Sequence, residues 1–255
     1  MEFIINNTLF TGKFLIHLPT VDSTNTYAKD YIAKSSPING AVILADEQNA
    51  GRGQSGNVWI SEANKNLTFS IVYHIPFLKA TEQFYLNMAI SLGVSSMLQK
   101  IGNASSHPVC IKWPNDIYVG HHKIAGILIE NTILGSNLGY SIIGIGLNIN
   151  QTNFPSGINA TSLKRITGAE QDLNQALNQL LSCIESNFLL LKERKFEFLY
   201  NSYISQIYQF GVTATYQNEK SMFSGSIKGV DPLGNLQIET SEGIKSFGFK
   251  EVVFL

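Results

Sequence analysis

Cysteine is scarce in this chain, with two in 255 residues. Cys110 and Cys183 stand in apolar surroundings at no metal-ligand spacing, which speaks against a disulfide framework or a thiolate metal site. They read as reduced core thiols of a cytoplasmic protein. Charge of either sign is thin: Lys and Arg number 18, Asp and Glu 19, for a formal net charge of −1. No basic tract stands out, so the electrostatic footprint of a nucleic-acid binder is missing. No apolar run reaches the ~18 residues of a membrane-spanning helix. The start of the chain, Met1-Glu2-Phe3-Ile4-Ile5-Asn6-Asn7, has no basic segment leading into an apolar one, so no secretory leader is expected. Repeats and low-complexity runs are absent too. What is left is a globular protein long enough for one sizeable domain and a small companion.

The periodicity of the apolar residues outlines that organisation. Phe14 to Leu18 reads as a strand, and Asp22-Ser23-Thr24 offers cap residues for a helix to about Lys34. Strands follow at Gly40 to Asp46 and at Leu67 to His74. Glu82 to Lys100 carries apolar residues at helical spacing, with Gly102 as its stop. Ile111-Lys112, Ile117 to Val119, Ile124 to Asn131 and Gly139 to Ile149 complete a mixed sheet. Asp172 to Lys192 and Lys195 to Ser205 read as helices. From about Gly211 the texture changes to short β runs separated by turns such as Pro232-Leu233-Gly234-Asn235. The reading is therefore α+β, with a mixed-sheet domain over 1–210 and a small all-β domain over 211–255 docked on it.

Two segments carry chemistry. Gln48-Asn49-Ala50-Gly51-Arg52-Gly53-Gln54-Ser55-Gly56-Asn57-Val58-Trp59 holds three glycines and one charge, and follows a strand. Glycine admits close backbone approach, and arginine adds a planar cation that fits carboxylate or phosphate. The loop lacks the Gly-Lys-Ser/Thr of a P-loop, and the next regular run reads as a strand rather than the helix a dinucleotide-binding loop would open. The choice lies between an anion-binding loop and a hairpin with a surface arginine. The second segment is Ile111-Lys112-Trp113-Pro114-Asn115-Asp116-Ile117-Tyr118-Val119-Gly120-His121-His122-Lys123-Ile124-Ala125-Gly126-Ile127-Leu128-Ile129-Glu130-Asn131, a hairpin with Asp116 and Lys123 at strand ends. His121 and His122 sit on its turn without a third ligand, as surface histidines rather than a metal site.

Together with Asp22-Ser23-Thr24-Asn25 and Gly144-Ile145-Gly146-Leu147-Asn148, these segments resemble the bacterial biotin protein ligases, the biotin–[acetyl-CoA-carboxylase] ligases, in order and spacing. The resemblance runs from about Phe14 to the end of the chain. Lys-Trp-Pro-Asn-Asp paired with Lys-x-Ala-Gly-Ile-Leu-x-Glu is its most specific part. It implies an SH3-like fold for the small domain. It also implies a two-step reaction, in which biotin and MgATP give biotinoyl-5′-adenylate and pyrophosphate. A lysine on a biotin carboxyl carrier domain, of acetyl-CoA carboxylase or a related carboxylase, then displaces AMP.

The resemblance assigns roles residue by residue. Ser23, Thr24 and Asn25 meet the ureido ring of biotin, although Ser23 or Thr24 can equally serve as a helix cap. Gln48, Arg52, Gly53, Gln54, Lys123 and Gly126 complete the biotin site. Arg52, Lys112, Asn115, Asp116, Lys123 and Asn148 fall near ATP. Lys123, Arg52 and Asp116 are the catalytic candidates, because joining a carboxylate to an α-phosphate needs cations against two anions. Asp116 either holds Mg²⁺ with the ATP phosphates or assists transfer to lysine. Trp113 reads as packing, and Trp59 as the burial that closes the loop. The loop departs from many relatives in having Gln54 and Ser55 where they carry basic residues, which bears on retention of the adenylate. The arginine pair and triple glycine of lipoate–protein ligases are absent. A DNA-reading repressor is also disfavoured, since the roughly 20 residues before Asp22 are too few for a helix-turn-helix domain. Some relatives pair the strand matching Gly139 to Ile149 across a dimer, so a homodimer stays open.

Overall fold

The structure, a computed structural model, describes residues 3–101 and 108–255, with the backbone alone of Ser55. Gly102, the expected helix stop, lies outside the described residues. The main element is a seven-stranded mixed sheet in the order β1-β2-β3-β7-β6-β5-β4. Its strands are β1 (Leu15–Val21), β2 (Ala41–Gln48), β3 (Leu67–His74), β4 (Val109–Lys112), β5 (Asp116–Val119), β6 (His122–Leu134) and β7 (Asn137–Leu147). β1 and β2 run parallel, joined by helix α1 (Thr24–Lys34), and the remaining neighbours are antiparallel.

Strand alternation sends side chains to two cores. Val42 and Leu44 face the larger one, whereas Ala41 and Ile43 pack with Ala28 of α1, Val72 and Ile142. Helices α2 (Gln83–Lys100), α4 (Leu173–Lys192) and α5 (Phe196–Ile204) cover the larger face. α2 and α4 approach closely because position 93 is glycine: a Cβ there would stand 2.7 Å from the Ile184 backbone. α4 is capped by Asp172, whose side chain accepts from the Gln175 N–H at 2.8 Å. A short helix, α3 (Leu163–Thr167), was not foreshadowed by periodicity, being a single turn and a half.

The C-terminal residues form a second, antiparallel sheet of five strands in the order β11-β10-β9-β8-β12. These are β8 (Thr213–Gln217), β9 (Met222–Val230), β10 (Leu236–Thr240), β11 (Gly243–Phe247) and β12 (Val253–Phe254). The sheet packs on the first. The Trp113 indole N–H donates to the Gly234 carbonyl at 3.0 Å, and Phe249 lies against Trp113 and Phe84. Tyr216, Ile227, Val230 and Ile238 join the same core as the helices. Among the described residues no helix is long and apolar enough to cross a membrane.

Candidate active site

A cleft of about 200 Å³ opens between the start of α1, the loop after β2, and strands β6 and β7. The floor is glycine. Gly126 pairs with Gly146, and two residues along, Leu128 pairs with Gly144. A Cβ on Gly144 would collide with the Asn25 amide, and one on Gly146 with the Trp59 indole. The missing side chains let α1 and the loop press onto bare backbone. Glycines two apart in a strand otherwise rich in isoleucine are the sequence signal for this floor.

At one end lie neutral hydrogen-bonding groups. Ser23 occupies the N-cap position of α1 in extended conformation, yet its hydroxyl makes no capping bond. Gln48 accepts from the Thr24 N–H at 2.8 Å and from its hydroxyl at 3.1 Å. Ser70 donates towards Thr24 and Asn25, at 2.7 and 2.6 Å. The Asn25 amide in turn donates to Glu130 at 2.8 Å and to the Leu128 carbonyl at 3.3 Å.

At the other end Lys123 Nζ stands 2.7 Å from Asp116 and 5.7 Å from the Trp59 ring centroid. Lys123 is aimed by a bulge. In an unbroken strand, residues three apart point to opposite faces. Here the register between β5 and β6 shifts between Ile117 and Tyr118, and Lys123 joins Gly126 on the cleft face. The Lys123 strand end is pinned from outside by Asn159 and Thr161 through backbone bonds of 3.0 and 2.9 Å.

The loop itself is a short hairpin. Trp59 N–H donates to the Gly51 carbonyl and Gly53 N–H to that of Asn57, around a 3-10 turn at Gln54–Gly56. Its Arg52 lines the cleft, but the guanidinium turns to Glu130, 2.6 Å away, and to the Thr26 hydroxyl at 3.3 Å. The cation closest to the cleft interior is thus Lys123.

Ser23, Thr24, Asn25, Gln48, Arg52, Gly53, Gln54, Asn115, Asp116, Lys123 and Gly126 are brought together in this lining. Asn115 is tied to Ile127 by both its side-chain N–H and its backbone carbonyl. Lys112 and Asn148 are not part of it. Lys112 extends among the rings of Phe254, Tyr118 and Tyr208, at 5.1, 5.3 and 6.0 Å. Burial holds its pKa below the ordinary lysine value, Lys123 adds to this, and Asp116 opposes it. Asn148 donates to the Thr161 carbonyl at 3.0 Å; among the described residues its own side-chain carbonyl, which is buried, has no partner, and neither has the buried Trp59 indole N–H. Phe69, Ser70 and Glu130 are contributors to which the sequence assigns no role: Glu130 closes the Lys-x-Ala-Gly-Ile-Leu-x-Glu run, whereas nothing in the local sequence marks Phe69 and Ser70 apart from strand alternation. Among the described residues, no group of three or more His, Cys, Asp or Glu side chains is placed to hold a metal.

Comparison with known proteins shows what the chain is similar to. The biotin/lipoate A/B protein ligase family matches residues 18–148. The bifunctional ligase/repressor BirA of Bacillus subtilis is 32% identical over 243 residues, which cover 92% of this chain and 72% of that protein. The biotin–[acetyl-CoA-carboxylase] ligase of Mycobacterium tuberculosis is 28% identical over 167 residues, 66% of this chain and 61% of that one. The biotin protein ligase of Aquifex aeolicus, solved in complex with biotin and ATP, superimposes with a TM-score of 0.77 at 31% identity, covering 95% of this chain and 99% of that one. The chain therefore belongs to the biotin/lipoate A/B protein ligase family and is an enzyme of the biotin protein ligase type.

Proposed function

We propose that the enzyme activates biotin as biotinoyl-5′-AMP and transfers the biotinoyl group to a lysine of a biotin carboxyl carrier domain. One observation carries this reading. The cleft has a neutral hydrogen-bonding end, a bare glycine floor, and a lysine at the far end. Two residues of strand, about 7 Å, separate the Leu128–Gly144 pair from the Gly126–Gly146 pair. Biotin has the same polarity order: a cyclic urea, an apolar body and chain, then a carboxylate. Hydroxyls and amides suit the urea, which offers one acceptor and two donors.

In the first step a biotin carboxylate oxygen attacks the α-phosphorus of MgATP and pyrophosphate leaves. Lys123 offsets the charge of both anions. Asp116 fixes the ammonium in place beforehand, so little reorganisation is needed as charge develops. In the second step the acceptor amine attacks the acyl carbon and AMP leaves with the bonding pair. Mg²⁺ enters as part of the nucleotide substrate, where one carboxylate such as Asp116 suffices beside the phosphates.

ATP–pyrophosphate exchange, run with biotin and with lipoate side by side, tests the reading. Exchange with biotin, followed by labelling of a carrier domain, is the expected result. Exchange with lipoate alone would overturn it.

A further inference from the structure

Glu130 is a carboxylate set beside a cleft that must receive two anions. Such a charge repels the ligands unless it is neutralised and employed elsewhere. Both of its oxygens are engaged. One takes the Arg52 guanidinium at 2.6 Å, and the other takes the Asn25 amide at 2.8 Å. Gly126, Leu128 and Glu130 alternate along one face of β6, so the strand that floors the cleft also presents this carboxylate at its edge.

Arg52 lies within the glycine-rich hairpin. Among the described residues, the side chains of 49–58 make hydrogen bonds to the rest of the protein only through Arg52, to Glu130 and Thr26. The loop is otherwise held by backbone bonds at its base, from Asn49 to Val21 and from Ala50 to Asp22, and by the Trp59 indole over Gly146.

We propose that Glu130 is a positioning residue that clamps the glycine-rich loop to the Asn25 end of the cleft through Arg52. The order of the loop is thereby tied to the side chains that meet the substrate ring. The clamp rests on the biotin reading for its effect on turnover, though not for its existence. Removing the carboxylate frees Arg52, loosens the loop, and lets biotin and the adenylate escape faster. Because the same event follows from removing Arg52, the two losses must overlap rather than add.

The experiment compares the wild type with E130A, E130Q, R52A and R52A/E130A. Adenylate release is followed in a single turnover without acceptor, and KM is measured separately for biotin and ATP. The expected result is a rise of about three- to tenfold in adenylate release and biotin KM for E130A, the scale of a half-exposed charge-assisted pair. E130Q should fall between E130A and wild type, the ATP KM should stay near that of the wild type, and the double variant should be no worse than R52A. Additive losses, or a wild-type E130A beside an impaired R52A, would overturn the clamp and make Arg52 a direct ligand contact. A second readout needs no turnover. In a W113F background Trp59 is the sole indole, and E130A should raise its quenching by acrylamide. Should the wild type show no biotin-dependent exchange at all, the substrate reading fails while quenching still decides the clamp: unchanged quenching refutes it.

Discussion

Lys123 owes its direction to one extra residue in β6, since without the bulge its ammonium would point to the opposite face from Gly126. Replacing it with alanine removes the cation that the proposed mechanism sets against both anions, and leaves Asp116 without its partner. Adenylation should fall by roughly 10²-fold or more, the usual cost of deleting one electrostatic contact to a transition state. Pyrophosphate exchange measures this, and near-normal exchange would return Lys123 to an ordinary strand-end lysine. At this scale the sequence was informative about which residues gather, because dense motifs such as Lys-Trp-Pro-Asn-Asp keep their members within one hairpin. It was poor on where side chains turn. Arg52 faces Glu130, 78 positions away, and Lys112 faces three rings, one of them in the last strand. Those choices are made by partners that only tertiary structure brings near.

Among the elements, the N-terminal segment and α4 make an informative pair. Glu185 is buried on α4 and accepts from the backbone N–H groups of Leu9, Phe10 and Thr11, at 2.5, 3.0 and 2.7 Å. Burial raises its pKa, but the three backbone donors outweigh that and hold it below the ordinary 4.5. A carboxyl depressed in this way contributes stability above its unfolded value and loses it as pH falls through the folded one. Glu185→Gln should cost about 1–2 kcal/mol at neutral pH, since a charge-assisted acceptor becomes a neutral one. Thermal melts against pH give the check: the advantage of the wild type should shrink below about pH 4.5. An advantage that persists there would show that Glu185 acts through shape alone. The strands and long helices were legible to within a few residues, since alternation and helical spacing are local signals. β6 runs past its apolar run to Leu134, because hairpin pairing carries the ladder beyond the last buried side chain, and β7 begins and ends two residues earlier than the run Gly139 to Ile149. Strand β12 escaped notice for the converse reason, its two residues being held by pairing with β8 rather than by pattern.

For the molecule as a whole, the division into 1–210 and 211–255 remains our proposal, and it describes architecture rather than independent folding. Trp113, Phe84 and Phe249 pack across the junction, and the second sheet contributes to the same core as the helices. About 45 residues make a marginal core by themselves. Unfolding in urea should therefore follow one transition, with tryptophan fluorescence and far-ultraviolet circular dichroism coinciding. Two separated transitions would show that the second sheet holds together unaided. The change of texture near Gly211 was visible in the sequence. The shared core was not, because it is made by residues far apart in the chain, such as Trp113 with Phe249 and Gly234.

The glycine floor sets a limit on how the cleft can change. A wall built of side chains can be cut back to admit a larger guest, but a wall of bare backbone has nothing left to remove. Substitution at Gly126, Gly144 or Gly146 can only subtract room, and at Gly144 and Gly146 it would also dislodge Asn25 and Trp59. Space for bulkier biotin analogues must come from the facing side, from Thr24, Gln48 or Trp59. Adaptation of this enzyme to new acyl groups is therefore one-sided, with the glycine floor as its fixed reference and the side chains around it as the adjustable surface.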